Sequence, residues 1–452
     1  MKMLWMTFLF LALSANAWAA DRIPPPDGGG QREPSIAVNQ LEHIFIAYID
    51  TMQNRIHIGK SINGGVNWED RFPTGIDGVD PSMAVDSQGR LYLAWLNSTI
   101  GIVRSDNEFA GLAQGKVVSN QYADRPWIKI GPADAVYLTY AGYSFPPNPP
   151  VCSQSALKAD IYFRKSLDLG VTWRPFLPAE NSDPAHPEPE TILTAPIASN
   201  NYRCSSAPMA IGPNGEIYVV INCFIFDLSN NCAAALTIKE HHVYLTRSDD
   251  GGNTFPFFRE VPNVKAILTD NAATGMPNRR INMASIAALP GPGHNNNGII
   301  GIVWPCDAKS VSGSTRNGVD ICFEVTLDKG ESFSLPKIIN DDPPGFHFFP
   351  AITGDETGFH VVWMDSRETV NTATPLWAAY RSDGFINWSP NFRVSNAAAP
   401  GNDNNEDGDP LGFGDFFDIT SRKINNVTQV YSTWADDSLG TADIYYDGRP
   451  YP

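Results

Sequence analysis

The sequence predicts an all-β protein: a single β-propeller of four-stranded antiparallel blades, with seven blades favoured and six as the alternative. Three observations predict this class. An eight-residue turn pattern recurs along the chain, a pair of short strands recurs upstream of it, and no long segment has helical periodicity. The 37 glycines and 36 prolines are typical of the many turns that join short strands.

Residues 1–20 are predicted to be an export signal rather than part of the fold. Lys2 gives a positive start, residues 4–13 form an apolar run, and Ala17 and Ala19 place small side chains before a cleavage point. The run is too short for a membrane-spanning helix. We therefore expect a propeller domain over residues 21–452 and an exported protein, located in the periplasm or outside the cell.

The recurring turn begins with Ser or Thr and ends with an aromatic residue. An Asp or Asn two positions after the start accepts local backbone N–H groups, a Gly supplies a positive φ, and the aromatic side chain packs under the turn. Clear copies occupy residues 61–68, 166–173, 248–255 and 326–333, with a shortened copy at 382–388 and a decayed one at 105–109. Each clear copy follows a short strand, so the turns mark equivalent places in successive blades.

A pair of strands recurs upstream of these turns, and the second strand is apolar and often ends in an aromatic residue. The seven copies are 34–38 with 44–48, 81–85 with 91–95, 126–130 with 136–140, 208–211 with 217–220, 284–287 with 299–304, 350–352 with 359–363, and 416–419 with 430–434. The last module has only three strands, ending at 443–446. We expect residues 22–31 to supply the fourth strand and close the ring, which leaves no open sheet edge.

Composition excludes several classes of protein. With 32 basic and 49 acidic residues the net charge is −17, which argues against nucleic acid or an anionic membrane as the main partner. Aromatic residues make up 11% of the chain and charged residues only 18%, so the chain is not disordered. No phosphate loop, zinc-protease motif or serine nucleophile elbow occurs, and no organic cofactor is expected.

The strand order brings the starts of the first strands and the ends of the second strands to one face, opposite the turns. That face is predicted to be polar, mixed in charge and rich in Asp and Arg. The alternative is that these groups only cap strands and pair with one another. Its candidate ligand-binding residues are Arg125, Arg203, His347, Asp365 and Arg367.

The six cysteines fall on the same face. Export permits disulfide bonds, and the alternative is six buried thiols. Hairpin proximity predicts the pairs Cys223–Cys232 and Cys306–Cys322, and the adjacency of two blades predicts Cys152–Cys204. Such bonds would hold the loops of a binding face rigid.

One acidic segment is a candidate calcium loop. Oxygen ligands alternate along it, and Gly408 stands at the sharp turn, as in the opening of known calcium loops. The alternative is a solvated acidic loop. The predicted ligands are Asp403, Asn405, Asp407, Asp409 and Asp415.

The turn pattern resembles the Asp box, or BNR repeat, of the sialidase superfamily, in its exported bacterial members. The resemblance covers nearly the whole chain after residue 20 and implies that the Asp boxes lie on the face away from the active site. It also implies an arginine clamp for a carboxylate, a carboxylic acid, and a Tyr nucleophile activated by Glu. By this resemblance Arg32 is the first clamp arginine and Asp50 is the acid, while Arg203, Arg280 and Arg367 are candidates for the rest of the clamp without a motif that selects among them.

The nucleophile has no match, because Phe416 and Phe417 stand where the Tyr is expected. We therefore predict an exported Asp-box propeller that binds a glycan or an extracellular or periplasmic protein through its disulfide-braced face, without a complete sialidase catalytic set. The alternative is an exo-glycosidase of sialidase type that acts on acidic sugars. The sequence leaves catalysis and the oligomeric state open.

Overall fold

The protein is all β-structure, built from antiparallel sheets. The computed structural model describes residues 21–23, 30–51, 53–71, 76–110, 115–119, 123–143, 159–175, 191–193, 196–197, 202–227, 237–264, 283–290, 298–316, 318–342, 346–368, 376, 378–396, 398, 417–436 and 442–450. Within these ranges, no helix has the length and hydropathy needed to cross a membrane. Short 3-10 turns occupy Pro132–Asp134 and Ala308–Ser310.

In the described part of the chain, five sheets have four strands each, and in four of these sheets the strands follow the order of the chain. Sheet A contains β2 (Gln31–Val38), β3 (Ile44–Asp50), β4 (Arg55–Ser61) and β5 (Glu69–Arg71). Sheet B contains β6 (Val79–Val85), β7 (Leu91–Asn97), β8 (Thr99–Ser105) and β9 (Lys116–Val117). Sheet D contains β19 (Ser285–Ala288), β20 (Ile300–Asp307), β21 (Val319–Thr326) and β22 (Lys337–Ile338). Sheet E contains β23 (His347–Asp355), β24 (Gly358–Asp365), β25 (Ala378–Gly384) and β26 (Phe392–Arg393).

The remaining four-stranded sheet, F, joins the two ends of the described chain. It contains β27 (Asp418–Ile424), β28 (Val427–Asp436), β29 (Asp443–Pro450) and β1 (Asp21–Arg22). β1 pairs antiparallel with β29, and Arg22 forms a 2.7 Å ion pair with Asp443. Ile23 is 1% exposed and packs in the core between sheets F and A. The expected closure of the last sheet by the N-terminal segment is therefore confirmed.

Sheet C has nine strands and consists of two antiparallel halves. The first half contains β10 (Ala123–Ile130), β11 (Val136–Tyr143), β12 (Ala159–Ser166) and β13 (Thr191–Leu193). The second contains β14 (Tyr202–Ser206), β15 (Met209–Ile211), β16 (Ile217–Asp227), β17 (Thr237–Ser248) and β18 (Phe257–Glu260). A parallel pair between Ala159 and Arg203 joins the halves. The predicted all-β class with four-stranded antiparallel sheets is confirmed.

The first strands contact one another in cyclic order. Each first strand contacts the next one in the series β2, β6, β10, β15, β19, β23 and β27, and β27 contacts β2 again. The amide of Met83 donates to Ser35 Oγ at 3.0 Å, and the amide of Ile128 donates to Ser82 Oγ at 3.1 Å. Equivalent residues thus meet at one level, so the first strands all begin on the same side. We call that side the upper face and the opposite side the turn face.

The repeated turns form one hydrogen-bond pattern on the turn face. The hydroxyl group of the first residue accepts the amide four positions later, in the turns that begin at Ser61, Ser105, Ser166, Ser248 and Thr326. Asp168 also accepts the amide and the hydroxyl group of Thr172. The turn at 105–109, predicted to be decayed, keeps this pattern. The shortened copy does not, because Ser382 donates instead to the carbonyl oxygen of Ser389.

The core lies between neighbouring sheets. Clusters of buried side chains join neighbouring sheets, as where Phe45 of sheet A packs with Leu93 of sheet B, and one cluster joins the two halves of sheet C. Trp304, Trp363 and Trp434 are fully buried at equivalent places in the second strands. Each sheet is covered on both sides by its neighbours, so its strands carry apolar residues on both faces.

Candidate functional site

The first strands share a bulge near the upper face. The pairing with the second strand shifts register just before Ser35, Ser82 and Ala351, and again before Trp127. The residue before the proline has a positive φ in each case: Glu33 at 51°, Asp80 at 52°, Arg125 at 48° and Phe349 at 54°. A non-glycine residue in this region costs on the order of 1 kcal/mol, and such bulges often re-aim side chains at functional sites.

A cavity of about 280 Å³ lies between the first strands of sheets C, D, E and F. Arg125, Trp127 and Lys129 line it from β10, and Phe349, Phe417 and Asp418 line it from the opposite side. Pockets for small molecules have volumes of about 300–1,000 Å³ and combine apolar walls with a few polar groups. This cavity is slightly smaller than that range and has that composition.

Three of these residues break the repeat. Near the ring axis the sheets converge, so small side chains are expected. The equivalent position after the bulge is occupied by Ser35, Ser82, Ser285 and Ala351 in four sheets, but by Trp127 in sheet C and Asp418 in sheet F. Two residues further along the first strand, the position of Lys129 in sheet C is occupied in sheets A, B and D by Ala37, Ala84 and Ala287. These exceptions were not among the predicted site residues, although comparison of the repeat copies displays them.

Asp418 has a structural role in addition to lining the cavity. Its Oδ2 accepts hydrogen bonds from the hydroxyl group of Ser35 and the amide of Ile36, each at 2.9 Å. Asp418 therefore joins β27 of sheet F to β2 of sheet A. Burial raises the pKa of Asp418, and the charge of Lys129 opposes this rise. Among the described residues, the lining of the cavity therefore includes two basic side chains and one carboxylic acid whose ionisation is disfavoured. This balance suits an anionic ligand.

Arg125 and Trp127 are held in place by neighbouring first strands. Arg125 is 7% exposed, and its Nη1 donates to Met283 Sδ at 2.9 Å. Trp127 is half-buried, and its Nε1 donates to Ser206 Oγ at 3.1 Å. Such contacts from a rigid sheet position side chains before a ligand arrives.

Arg203 forms a second polar group on the upper face. Its Nη2 lies 3.0 Å from Asp124 Oδ2, and its guanidinium group lies 4.4 Å from the centre of the Tyr143 ring. The hydroxyl group of Tyr143 donates to Asp124 at 2.5 Å and accepts from Arg203. The three side chains come from β10, β11 and β14, and they hold the two halves of sheet C together at this face.

The predicted residues His347, Asp365 and Arg367 form one ion cluster with Asp342. His347 Nε2 lies 3.0 Å from Asp342 Oδ1 and 3.3 Å from Asp365 Oδ2. Burial disfavours the charged form of His347, but the two carboxylates outweigh it and raise its pKa to about 10. Arg367 Nη2 contacts the same oxygens, at 3.0 Å and 2.7 Å.

This cluster has the donor atoms of a metal site, since His347, Asp342 and Asp365 each offer one ligand atom within a small space. A proton on His347 and the guanidinium group of Arg367 already supply the positive charge there. Both His347 and Asp365 are fully buried. The structure therefore supports the reading that these groups pair with one another at the strand ends.

The residues assigned by the sialidase resemblance do not line the cavity. Arg32 is 5% exposed and Asp50 is 1% exposed, and Asp50 lies 3.7 Å from His57 Nε2 within sheet A. Neither is among the residues that line the cavity. Arg280 lies outside the described residues, so its role stays a prediction. The calcium loop with Asp403, Asn405, Asp407, Asp409 and Asp415 also lies outside them.

One Tyr–Glu pair lies beside the His347 cluster. Tyr380 donates to Glu368 Oε1 at 2.7 Å, and the guanidinium group of Arg367 lies 4.0 Å from the ring centre. Tyr380 comes from the third strand of sheet E and is 8% exposed. Burial and the bond to Glu368 raise its pKa, so it is a neutral phenol rather than an activated nucleophile. The sequence analysis did not find this pair, because its partners are 12 positions apart.

Disulfide bonds brace the upper part of two sheets. Cys306 is bonded to Cys322, the pair predicted from hairpin proximity. Cys204 is bonded to Cys223, so the predicted pairs Cys152–Cys204 and Cys223–Cys232 are wrong. The reason is register: Cys204 and Cys223 are direct cross-strand partners in β14 and β16, with Cα atoms 4.0 Å apart. Cys152 and Cys232 lie outside the described residues.

Comparisons with solved structures support a β-propeller fold. The chain is similar to an ulvan lyase of the polysaccharide lyase family PL25 bound to -[GlcA(1-4)Rha3S]-, with a TM-score of 0.53 and 12% identity over 92% of this chain and 93% of that chain. It is also similar to the α-L-arabinofuranosidase Arb93A of Fusarium graminearum, with a TM-score of 0.50 and 10% identity over 96% and 98%. No protein-family model and no curated protein matches the chain.

Proposed function

We propose that the protein is an exported, seven-bladed β-propeller that binds a carboxylate-bearing sugar of a glycan in the cavity between its first strands. One observation carries the proposal. The single strand β10 brings Arg125, Trp127 and Lys129 to the same cavity. In other sheets, Ser or Ala stands at most positions equivalent to Trp127, and Ala37, Ala84 and Ala287 stand at positions equivalent to Lys129.

The chemistry of these side chains matches an acidic sugar. A guanidinium group pairs with a carboxylate through two parallel hydrogen bonds, and an ammonium group adds charge without fixed geometry. An indole ring offers a flat apolar surface to the C–H groups of a sugar ring. One of the similar folds is described with a glucuronate-containing chain bound, which agrees with an acidic glycan.

The proposed seven blades and the proposed export are supported by observations other than the cavity. Seven first strands follow one another in the cyclic contacts, if the two halves of sheet C count as separate blades. Export is supported by the signal-like residues 1–20 and by the disulfide bonds of Cys204 and Cys306, which form in oxidising compartments.

We propose binding without turnover rather than hydrolysis. Glycoside hydrolysis uses two carboxylic groups, one on either side of the bond that is cleaved. Among the described residues that line the cavity, Asp418 is the one carboxylic acid, and it accepts hydrogen bonds from Ser35 and Ile36. An exo-glycosidase of sialidase type is the alternative, and a protein ligand in place of a glycan is another.

A glycan array and direct titration test the proposal. We expect glycans that end in glucuronate or sialate to bind, and neutral glycans of the same length not to bind. Replacement of Lys129 by Ala should weaken binding at least about tenfold, since a charge-assisted contact contributes on the order of 1.5–3 kcal/mol. Lys309→Ala, at an exposed lysine outside the cavity, is the matched control.

Three outcomes would contradict the proposal. Equal binding of neutral and acidic glycans would show that the basic side chains do not select the ligand. Unchanged affinity in Lys129→Ala would place the ligand elsewhere. Release of sugar from sialyllactose or from a glucuronide by the wild-type protein would favour the hydrolase alternative.

Calcium binding by Asp403, Asn405, Asp407, Asp409 and Asp415 is a second, independent proposal. It rests on the sequence pattern alone. Calorimetry of chelator-treated protein should show heat on addition of calcium, and its absence at millimolar ion would contradict the proposal. Chelation should leave glucuronate binding unchanged, because the cavity has its own basic groups.

A further inference from the structure

A second concave site lies on the upper face beside the cavity. This groove has a volume of about 500 Å³ and is formed by sheets A, B and C. Its polar lining residues are Asn54, Asp77, Asn97, Ser98, Tyr143 and Arg203.

Each charged residue that lines the groove is paired with a residue beside the groove. Arg203 lies 3.0 Å from Asp124, and Arg55 lies 2.9 Å from Asp77. The amide, hydroxyl and aromatic groups of the remaining lining residues suit the hydroxyl groups of uncharged sugars. The groove therefore differs in chemistry from the cavity, where Arg125 and Lys129 outweigh one carboxylic acid.

The groove and the cavity adjoin along one strand. Ala123 lines the groove and Arg125 lines the cavity, and both belong to β10. Two residues of a strand span about 7 Å. Asp124, between them, binds Tyr143 and Arg203. A single chain that occupies the cavity can therefore continue into the groove.

We infer that the upper face binds an oligosaccharide of several sugars, with an acidic sugar in the cavity and adjoining uncharged sugars in the groove. This inference rests on the proposed function and deepens it, because a terminal acidic sugar alone needs only the cavity. Affinity should then rise with chain length, since each added sugar makes contacts without a second loss of translational freedom.

Titration with glucuronate and with hyaluronan oligosaccharides, which alternate acidic and uncharged sugars, tests the inference. We expect the hexasaccharide to bind at least about tenfold more tightly than glucuronate. Asn97→Tyr fills the groove from an exposed position, and Tyr143→Ala removes one of its walls. Each variant should bring the hexasaccharide close to the affinity of glucuronate and leave glucuronate binding unchanged.

The control variant is Gln88→Tyr, which places the same side chain at an exposed position of sheet B on the turn face. It should not change either affinity, and melting temperatures show whether each variant is folded. Wild-type affinity that is independent of length, or full hexasaccharide affinity in a folded Asn97→Tyr, overturns the inference and leaves the proposed function intact. Failure of both glucuronate and hexasaccharide to bind contradicts the proposed function itself. Competition by hexaglutamate as strong as by the hexasaccharide overturns the sugar assignment.

Discussion

The ammonium group of Lys165 donates to Asn253 Oδ1 at 2.6 Å and to the carbonyl oxygen of Gly251 at 3.0 Å. Lys165 immediately precedes one repeated turn, and its partners belong to the corresponding turn of the neighbouring module. The same relationship recurs around the turn face, with Lys60 bound to Glu108, Arg104 to Leu169, and Arg247 to Lys329. A basic residue before each of these turns thus ties it to the next turn along the chain.

Replacement of Lys165 by Met should destabilise the fold by about 1–3 kcal/mol, because two acceptors in a partly buried contact lose a charged donor. The lysine is 8% exposed, so water does not easily replace it. The urea midpoint of unfolding measures the effect. Lys309→Met, at an exposed lysine, should have almost none. Equal midpoints for the two variants would show that these contacts between turns do not stabilise the ring.

Replacement of Ile23 by Ala should destabilise the fold by about 2–4 kcal/mol through the cavity that it leaves. Ile23 is 1% exposed and packs with Ile46 and Tyr446 where the N-terminal segment closes the last sheet. Ile62, 65% exposed in the first repeated turn, provides the matched Ile62→Ala control. Thermal unfolding of the two variants checks the difference, and a stability unchanged by Ile23→Ala would mean that closure by this segment is dispensable.

The disulfide between Cys204 and Cys223 should be visible directly in peptides from the non-reduced protein. Its removal by Cys204→Ala and Cys223→Ala should cost about 3 kcal/mol, because it closes a loop of 19 residues in the unfolded chain. Chemical denaturation with and without the bond measures that cost. Peptides that link Cys204 to Cys152 would contradict the structure.

Replacement of Glu324 by Gln should stabilise the protein increasingly as the pH rises from about 5 to 9. Glu324 is fully buried with Asn263 Nδ2 at 3.3 Å, and burial raises its pKa to about 8 from the usual 4.5. A carboxyl group whose pKa is raised in the folded state contributes stability below the unfolded pKa, and that contribution is lost as the pH rises through the folded pKa. Gln removes this loss because it does not ionise.

Melting temperatures of Glu324→Gln and wild type across this pH range measure the difference. The exposed Glu331→Gln serves as control, and it should follow the wild type at every pH. A constant difference between Glu324→Gln and wild type would mean that Glu324 is ionised in the folded protein even at low pH.

Much of the fold follows from the sequence, because its signals are local. The turn at 166–173 needs only Ser166, Asp168 and Gly170, which lie within five positions and bind one another's backbone. The strand pairs follow from alternation and from short Gly-bearing turns. The shortened copy at 382–388 has Gly384 where the acceptor is required, and it forms a different turn.

The candidate site could be predicted only in part. Arg125 follows from its place at the start of a first strand, and the strand order predicts His347, Asp365 and Arg367 on the same face, where the structure brings them into contact. Their role in ligand binding stays a prediction. Their mutual pairing was one of two alternatives that the sequence left open. Trp127 and Lys129 stand out when the repeat copies are aligned, but only the tertiary structure shows that they share a cavity with Asp418.

The sequence by itself determined the repeat, the all-β class and the two faces, since these depend on residues a few positions apart. Only the tertiary structure decided which distant groups meet. Asp124 and Arg203 are 79 positions apart, and Cys204 bonds Cys223 because of the register of β14 on β16. The physical reason is that the sheets converge on one axis. Convergence brings side chains from separate modules into one cavity, and the spacing along the chain carries no record of which of them will share it.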